Sequence, residues 1–457
     1  PIPSPAGRRP APMQSARQPV SDLMFRGGRL VDPASGFDAL ADVLIVRGKI
    51  AAVGGRVDPA GAQVVDITGA VISPGFVDLH THLRQPGRED EETIASGSAA
   101  AAAGGYTAVC AMPNTDPVCD NASVAEMVAA EGARAGLTQV IPAGALTRGQ
   151  KGEALAPIGE MARCAAGVRL FTDDGRGVAD PRLLRRAMEY IRAFGGICAE
   201  HCEEASLSEG GQMNEGEFSD LLGLKGIPAE AEEVALARDI ALARLTGARF
   251  HAMHISTAGS VELVRQAKAS GLNVTAEATP HHISLTEAEL MSCDPVFKVN
   301  PPLRSSTDVE AVRAGLADGT IDAVATDHAP HSAEEKEGEY ELAPPGMLGL
   351  ETALAVVLTS LVHPGLVSMP DMVRMMSVNS ARILGLEGQG GPVRPGADGN
   401  LVVFDPELEW EVEPGAFASL SANSPWAGRK LRGKVLHTVF RGNRVYAGGR
   451  LAAEVVR

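Results

Sequence analysis

Eight short apolar runs, each followed by a longer stretch of helical pattern, constrain this chain more than any other feature of its sequence. The runs span residues 71–79, 107–111, 138–143, 167–171, 196–199, 249–253, 273–276 and 321–325. Intervening segments such as 229–245 and 260–269 place apolar residues three and four apart, as outer helices require. Strands that alternate with covering helices pair in parallel, and both faces of their sheet are buried. Eight such units over ~250 residues favour closure into a (β/α)8 TIM-type barrel over an open sheet. Outside this region the texture changes. Residues 23–29, 42–46 and 50–53 at one end, and 400–404, 435–440 and 443–446 at the other, form short apolar runs split by turn signals. The two ends are expected to join as one small β-sandwich domain. The resulting α/β chain has a flexible arm at 1–22, a first β part at 23–70, the barrel at 71–385 and a second β part at 386–457.

Composition narrows the function classes. Of 457 residues, 45% are hydrophobic and 21% charged, so a sizeable core is available and a disordered chain is excluded. Lys and Arg number 41 against 57 Asp and Glu, and the net charge of -16 leaves no sequence-wide basic footprint for nucleic acid or anionic lipid. The 6 cysteines form no CxxC pair, a usage expected of reduced thiols in the cytoplasm. Residues 93–115 carry no charge and could span a bilayer by length, but Ala and Gly dominate them. They are read as a buried helix followed by a strand. Residues 1–20 contain no continuous apolar stretch, so no secretory signal is expected there.

The chemistry gathers where the runs end. The first run finishes GFVDLHTHLR at 75–84, and on a strand His80 and His82 point to the same side with backbones about 6.6 Å apart. Two histidines packed at a strand end are the structural alternative. Position favours chemistry, because barrel enzymes place their active groups at the C-terminal ends of the strands. The fourth run ends in Asp173 and Asp174, the fifth in His201, the sixth in His251 and His254, and the eighth in Asp327, His328 and His331. Such imidazoles and carboxylates suit Zn²⁺ in sites that keep a position open for water. Spacing does not separate Asp173 from Asp174. His251 and His254 lie three apart and cannot face the same way on a regular strand, so His251 either packs or supports a ligand.

These residues sit in specific motifs: PGFVDLHTHLRQPG at 74–87, AMPNTDP at 111–117, FTDDG at 171–175, AEHCE at 199–203, KVNPPLR at 298–304 and ATDHAPH at 325–331. The chain resembles the class I dihydroorotases of the amidohydrolase superfamily, which interconvert N-carbamoyl-L-aspartate and dihydroorotate in pyrimidine synthesis. The resemblance runs from about residue 23 to the C-terminus. It implies two Zn²⁺ per chain, one held by His80, His82 and Asp327 and the other by His201 and His254. Asp174 and a hydroxide would bridge them. Many relatives bridge with a carboxylated lysine, but the fourth run contains none, so the aspartate-bridged subtype is the match.

The resemblance also assigns Asp327 as general acid/base, with a purely ligating role as the alternative. It places Arg84, Asn114 and His331, with His82, on the substrate and its carboxylate. Arg84 could instead form a surface pair with Glu89 or Asp90. Asn300 would bond the ring amide, or else shape a turn before two prolines. Backbone groups at Pro345 and Gly346 would also meet substrate. The family generally has Phe where Pro345 stands, and proline has no N–H to donate.

The remaining residues carry weaker implications. His281, His282 and His328 could orient ligands, and Cys202 reads as a small buried hydrophobe. Segment 332–343 is either a solvated loop or a lid. The alternative functions are the same chemistry on a hydantoin or allantoin ring, or a non-catalytic scaffold for aspartate transcarbamoylase. Every donor position is occupied by a competent residue, which argues against the scaffold. The resemblance implies a homo-oligomer and allows a complex with the transcarbamoylase; neither nucleic acid nor membrane is expected as a partner.

Overall fold

A computed structural model describes residues 22–452, so the expected arm lies outside it apart from Asp22. Eight parallel strands run through the centre: Phe76–Thr81, Tyr106–Ala111, Gln139–Pro142, Leu170–Phe171, Ile197–Glu200, Arg249–Ala252, Val274–Ala278 and Ala323–Val324. The first three form one ladder and the last five another. Isolated parallel bridges continue the order from third to fourth strand through Gly144 and Phe171, and from eighth to first through His328 and Thr81. The interiors are Ala, Val, Cys and Ile, buried on both faces, as helix-covered parallel strands require. The helical patterns expected at 229–245 and 260–269 are the helices Glu230–Thr246 and Ala258–Ala269.

Residues 93–115 fold as expected, into helix Ile94–Ala103 and strand Tyr106–Ala111. The Thr93 hydroxyl accepts from the Ser96 N–H at 3.0 Å, which satisfies one orphan donor at the helix start. Alanine side chains give this helix a slim face that buries closely. No helix among the described residues is long and apolar enough to cross a membrane.

The two chain ends meet in a nine-stranded sheet. Hydrogen bonds link all nine strands because Val71–Pro74 is shared, and the sheet folds over on itself, so that the Phe25 and His437 rings, from strands three places apart in the order, lie 5.7 Å apart. Val71–Pro74 pairs in parallel with Leu23–Asp32 and antiparallel with Leu401–Glu411. The first apolar run is therefore two strands, not one. Period-2 alternation then sorts the side chains. Ile72, Leu401 and Val403 face a core with Leu23, Phe25 and Val43, whereas Val71, Val402 and Phe404 face the main core.

Gly75 makes the break between the two sheets. Its N–H donates to Asn400 O at 3.0 Å and its carbonyl accepts from Ser377 Oγ at 2.6 Å. A Cβ at this position would lie 2.3 Å from the Thr107 side chain, so only glycine allows the approach. Overpacking of this kind typically costs about 1–3 kcal/mol. Gly75→Val is expected to lower the urea unfolding free energy by at least ~1 kcal/mol; an unchanged midpoint and slope would contradict the packing argument.

Candidate active site

The site is anchored by a buried acid on the first strand. Asp78 Oδ1 accepts from the backbone N–H of His80 at 3.1 Å and of Thr326 at 3.0 Å, and Oδ2 accepts from Thr326 Oγ1 at 2.6 Å. Burial pushes this carboxyl up to about 7 despite the Thr326 bonds that oppose the rise. The contacts tie the first strand end to the eighth, bringing the predicted His80, His82 and Asp327 together.

Around that tie, the strand ends converge. His82 Nε2 lies 3.0 Å from Asp327 Oδ1, and His80 Nε2 lies 3.4 Å from the same oxygen. Asp174 sits among three imidazoles, with Oδ2 3.3 Å from His80 Nε2 and 3.5 Å from His82 Nε2, and Oδ1 3.5 Å from His254 Nε2. His201 Nδ1 is 3.0 Å from His254 Nε2. All six of these predicted ligand residues are buried. His254 and Asp327 have φ of 30° and 48°, left-handed conformations that non-glycine residues hold mainly where the surroundings over-determine them.

The neighbouring Asp173 turns away. It accepts from the N–H of Leu146 at 2.8 Å and of Thr147 at 3.0 Å, and from the Thr147 hydroxyl. Asp173 thus fixes a loop, and Asp174 alone of the two faces the histidines.

Electrostatics keep the cluster charged. Burial alone would raise the Asp174 and Asp327 carboxyls, but His80, His82 and His254 together outweigh it and hold both below the ordinary range. Burial opposes protonation of His80, yet Asp174, Asp327 and Glu277 raise it well above an ordinary histidine. Glu277 Oε1 lies 3.1 Å from His80 Nδ1, and its other oxygen lies 3.0 Å from His251 Nε2. His251 in turn meets Thr275 Oγ1 at 2.8 Å. It therefore supports His80 through Glu277. Glu277 is legible in principle, since it is an acid inside the strand Val274–Ala278, but the apolar run stops one residue short of it. On the far side, Glu203 lies 3.6 Å from His201 Nε2, and this contact helps carry its carboxyl down to about 2 against the effect of burial.

These residues fit a metal. His80, His82 and Asp327 offer three donor atoms within 4.8 Å of one another, and so do His80, Asp174 and His254. His80 Nε2 and His254 Nδ1 are buried without a hydrogen-bond partner among the described residues. A set of imidazole nitrogens and carboxylate oxygens without thiolate is of the kind that binds Zn²⁺.

Of the predicted substrate residues, Asn114, Arg84 and His331 lie on the His82 side of this cluster and Asn300 beside His201 and Glu203. Asn114 Oδ1 is 3.0 Å from His82 Nδ1, so it orients the His82 ring. Arg84, at φ 59°, extends its Nε to Pro330 O at 3.0 Å and to Glu91 Oε2 at 3.1 Å. Its acidic partner is thus buried Glu91, not Glu89 or Asp90. His331 Nε2 lies 3.2 Å from Arg84 Nη2 and 3.0 Å from Pro345 O. Gly346, at φ 137°, has its N–H on Lys298 O at 2.9 Å and its carbonyl on Asn423 Nδ2 at 3.2 Å, so both backbone groups are engaged within the protein. Asn300 donates to Glu203 Oε2 at 3.0 Å, while its buried Oδ1 has no partner among the described residues. A cavity of ≈ 290 Å³ opens against Asp174, Asn114, Gln150 and Arg176.

Segment 332–343 is fastened at several points. Lys336 Nζ donates to Pro344 O at 2.7 Å and Pro295 O at 3.0 Å, and Lys298 Nζ donates to Tyr340 O at 2.9 Å. His328 touches Glu92 at 3.4 Å and His282 meets Pro301 O at 3.0 Å, so both support the surrounding loops. His281 is buried with neither ring nitrogen bonded among the described residues, and burial pushes it well below an ordinary histidine. Burial likewise raises the Cys202 thiol, consistent with an inert side chain.

Residues 69–260 match a family model described as dihydro-orotase-like. Dihydroorotases from Pelotomaculum thermopropionicum and Streptomyces coelicolor are each 51% identical to this chain, over 420 and 432 residues. The matches cover 92% and 94% of this chain and 97% and 100% of those proteins. The solved L-hydantoinase (dihydropyrimidinase) from Arthrobacter aurescens superposes with a TM-score of 0.84, covering 95% of this chain and 98% of its own, at 25% identity. The dihydropyrimidinase from Brevibacillus agri gives 0.81 over 94% of this chain and 96% of its own, and at 22% identity it shows the fold alone. With the site, these similarities define a cyclic amide hydrolase. Within that class the chain belongs to the dihydroorotase family.

Removing a hydrogen-bond partner behind a ligand typically costs ~10–100-fold in metal affinity. Glu277→Gln is expected to weaken zinc binding by about tenfold or more, read by competition with a chromophoric chelator. Unchanged affinity would mean that Glu277 does not support His80.

Proposed function

We propose that the chain catalyses the reversible cyclisation of N-carbamoyl-L-aspartate to (S)-dihydroorotate in de novo pyrimidine synthesis, as a class I, aspartate-bridged dihydroorotase. The observation that carries this reading is Asp174 held among His80, His82 and His254 beside the Arg84 and His331 pair. The eight strands form one (β/α)8 barrel over 71–385, and segments 23–70 and 386–457 form the small β domain, with Val71–Pro74 shared between the two.

His80, His82 and Asp327 would hold one zinc ion and His201 and His254 a second, with Asp174 between them. When bound, a pair of zinc ions supplies a nucleophile at neutral pH and polarises the scissile carbonyl. Asp327, kept ionised by its histidines, takes the proton of the attacking water and passes it to the leaving ring nitrogen. Bond by bond, a C–O bond forms at the amide carbon and the C–N bond breaks; reversal closes the ring. Arg84 presents a planar fork to the substrate carboxylate, helped by His331 and Asn114. The unpaired Oδ1 of Asn300 can accept from the ring N–H. Pro345 and Gly346 shape the wall through His331 and Asn423, with no N–H left to donate. A hydantoin or allantoin ring without a carboxylate would leave Arg84 unused. All six cysteines are free, which supports a cytoplasmic setting. The family reading implies homo-oligomerisation and allows a complex with aspartate transcarbamoylase.

Ring opening of dihydroorotate by purified, zinc-replete chain, followed as loss of ultraviolet absorbance, tests this. Turnover should vanish on chelation, return with zinc, and fall by about 10²–10⁴ in Asp327→Asn. An inactive zinc-replete chain would overturn the reading.

A further inference from the structure

Arg84 and His331 meet over a third group that no motif assigned. Glu91 is 0% exposed and stands between them. Its Oε2 is 3.1 Å from Arg84 Nε and its Oε1 is 3.0 Å from His331 Nδ1. The third edge, Arg84 Nη2 to His331 Nε2, is 3.2 Å. One carboxylate therefore spans both side chains and closes a triangle of polar contacts.

We infer that Glu91 is the positioning residue that sets Arg84 and His331 for the substrate carboxylate. The inference rests on the dihydroorotase reading given above. Glu91 is itself fixed: its N–H donates to Arg88 O at 3.0 Å and its carbonyl accepts from Ser421 Oγ at 2.8 Å. Two carboxylate oxygens face His331 Nδ1, Glu91 Oε1 at 3.0 Å and Glu335 Oε2 at 3.3 Å, so that nitrogen carries a proton and the ring orientation is defined. On Arg84, Nε donates to Pro330 O and forms an ion pair with Glu91 Oε2, and Nη2 faces His331. Nη1 has no protein acceptor among the described residues, which leaves its two N–H groups for an incoming anion. Arg88 completes the surroundings, with Nη2 2.6 Å from Glu91 Oε1 and 2.5 Å from Glu335 Oε1. Glu91, His331 and Glu335 could by spacing alone hold a cation, but the guanidinium groups of Arg84 and Arg88 already supply positive charge there.

The role is geometric, so it acts on substrate binding and not on the chemical step. Charge-assisted hydrogen bonds are worth enough that loss of one should raise KM for dihydroorotate about tenfold or more in Glu91→Gln, with kcat within about threefold. Melting temperature and zinc content should match the wild type. Glu91→Asp retains the charge but is one methylene shorter, and its KM should fall between the two. Should Glu91→Gln fail to fold, Glu91→Asp gives the same readout. A folded variant with unchanged KM, or with kcat reduced and KM unaltered, overturns the inference. An inactive wild-type chain overturns the dihydroorotase reading, and this inference with it.

Discussion

A carboxylate buried among imidazoles is stable only if each charge finds its opposite, and that constraint organises the centre of this molecule. Asp174 is surrounded by His80, His82 and His254, each within 3.5 Å. An isolated buried carboxylate would instead take up a proton and lose its charge. Here the histidines prevent it, and Glu277 balances His80 from behind. His80 and His82 come from the end of the first strand, and Asp174, His254 and Glu277 from the fourth, sixth and seventh. The strands must therefore be in register with one another, so the site and the parallel sheet support one another.

The β domain does more than cover the chain ends. Asn423, far beyond the last central strand, donates to Ala329 O at 3.0 Å and Gly346 O at 3.2 Å, and its Oδ1 accepts from the His331 N–H at 3.2 Å. Ser419 and Ser421 bond Glu92 and the Glu91 carbonyl. One short C-terminal segment thus holds both loops that carry Arg84 and His331. The nine-stranded sheet fixes where that segment emerges, which links a distant β structure to the geometry at the mouth.

Much of this was legible in sequence because it is local. Alternation of apolar runs with helical pattern revealed the eight central strands, and the polar residues just after those runs marked the mouth. Asp78, the acid that joins first strand to eighth, stands in the first motif, yet its partner Thr326 is 248 positions away. Glu277 escaped because the apolar run was ended at Ala276, although the strand continues to Ala278. Glu91 stands beside Glu89 and Asp90 in a run of charges, and burial cannot be read from such a run. The division of the first apolar run between two sheets falls at Gly75, whose lack of a side chain breaks a run that otherwise reads as continuous.

The central claim is that Asp174 stands between two metals. Anomalous diffraction from zinc-loaded crystals tests it most directly. Two peaks are expected, one against His80, His82 and Asp327 and one against His201 and His254, with Asp174 contacting both. A single peak, or a second one outside this cluster, would contradict the account.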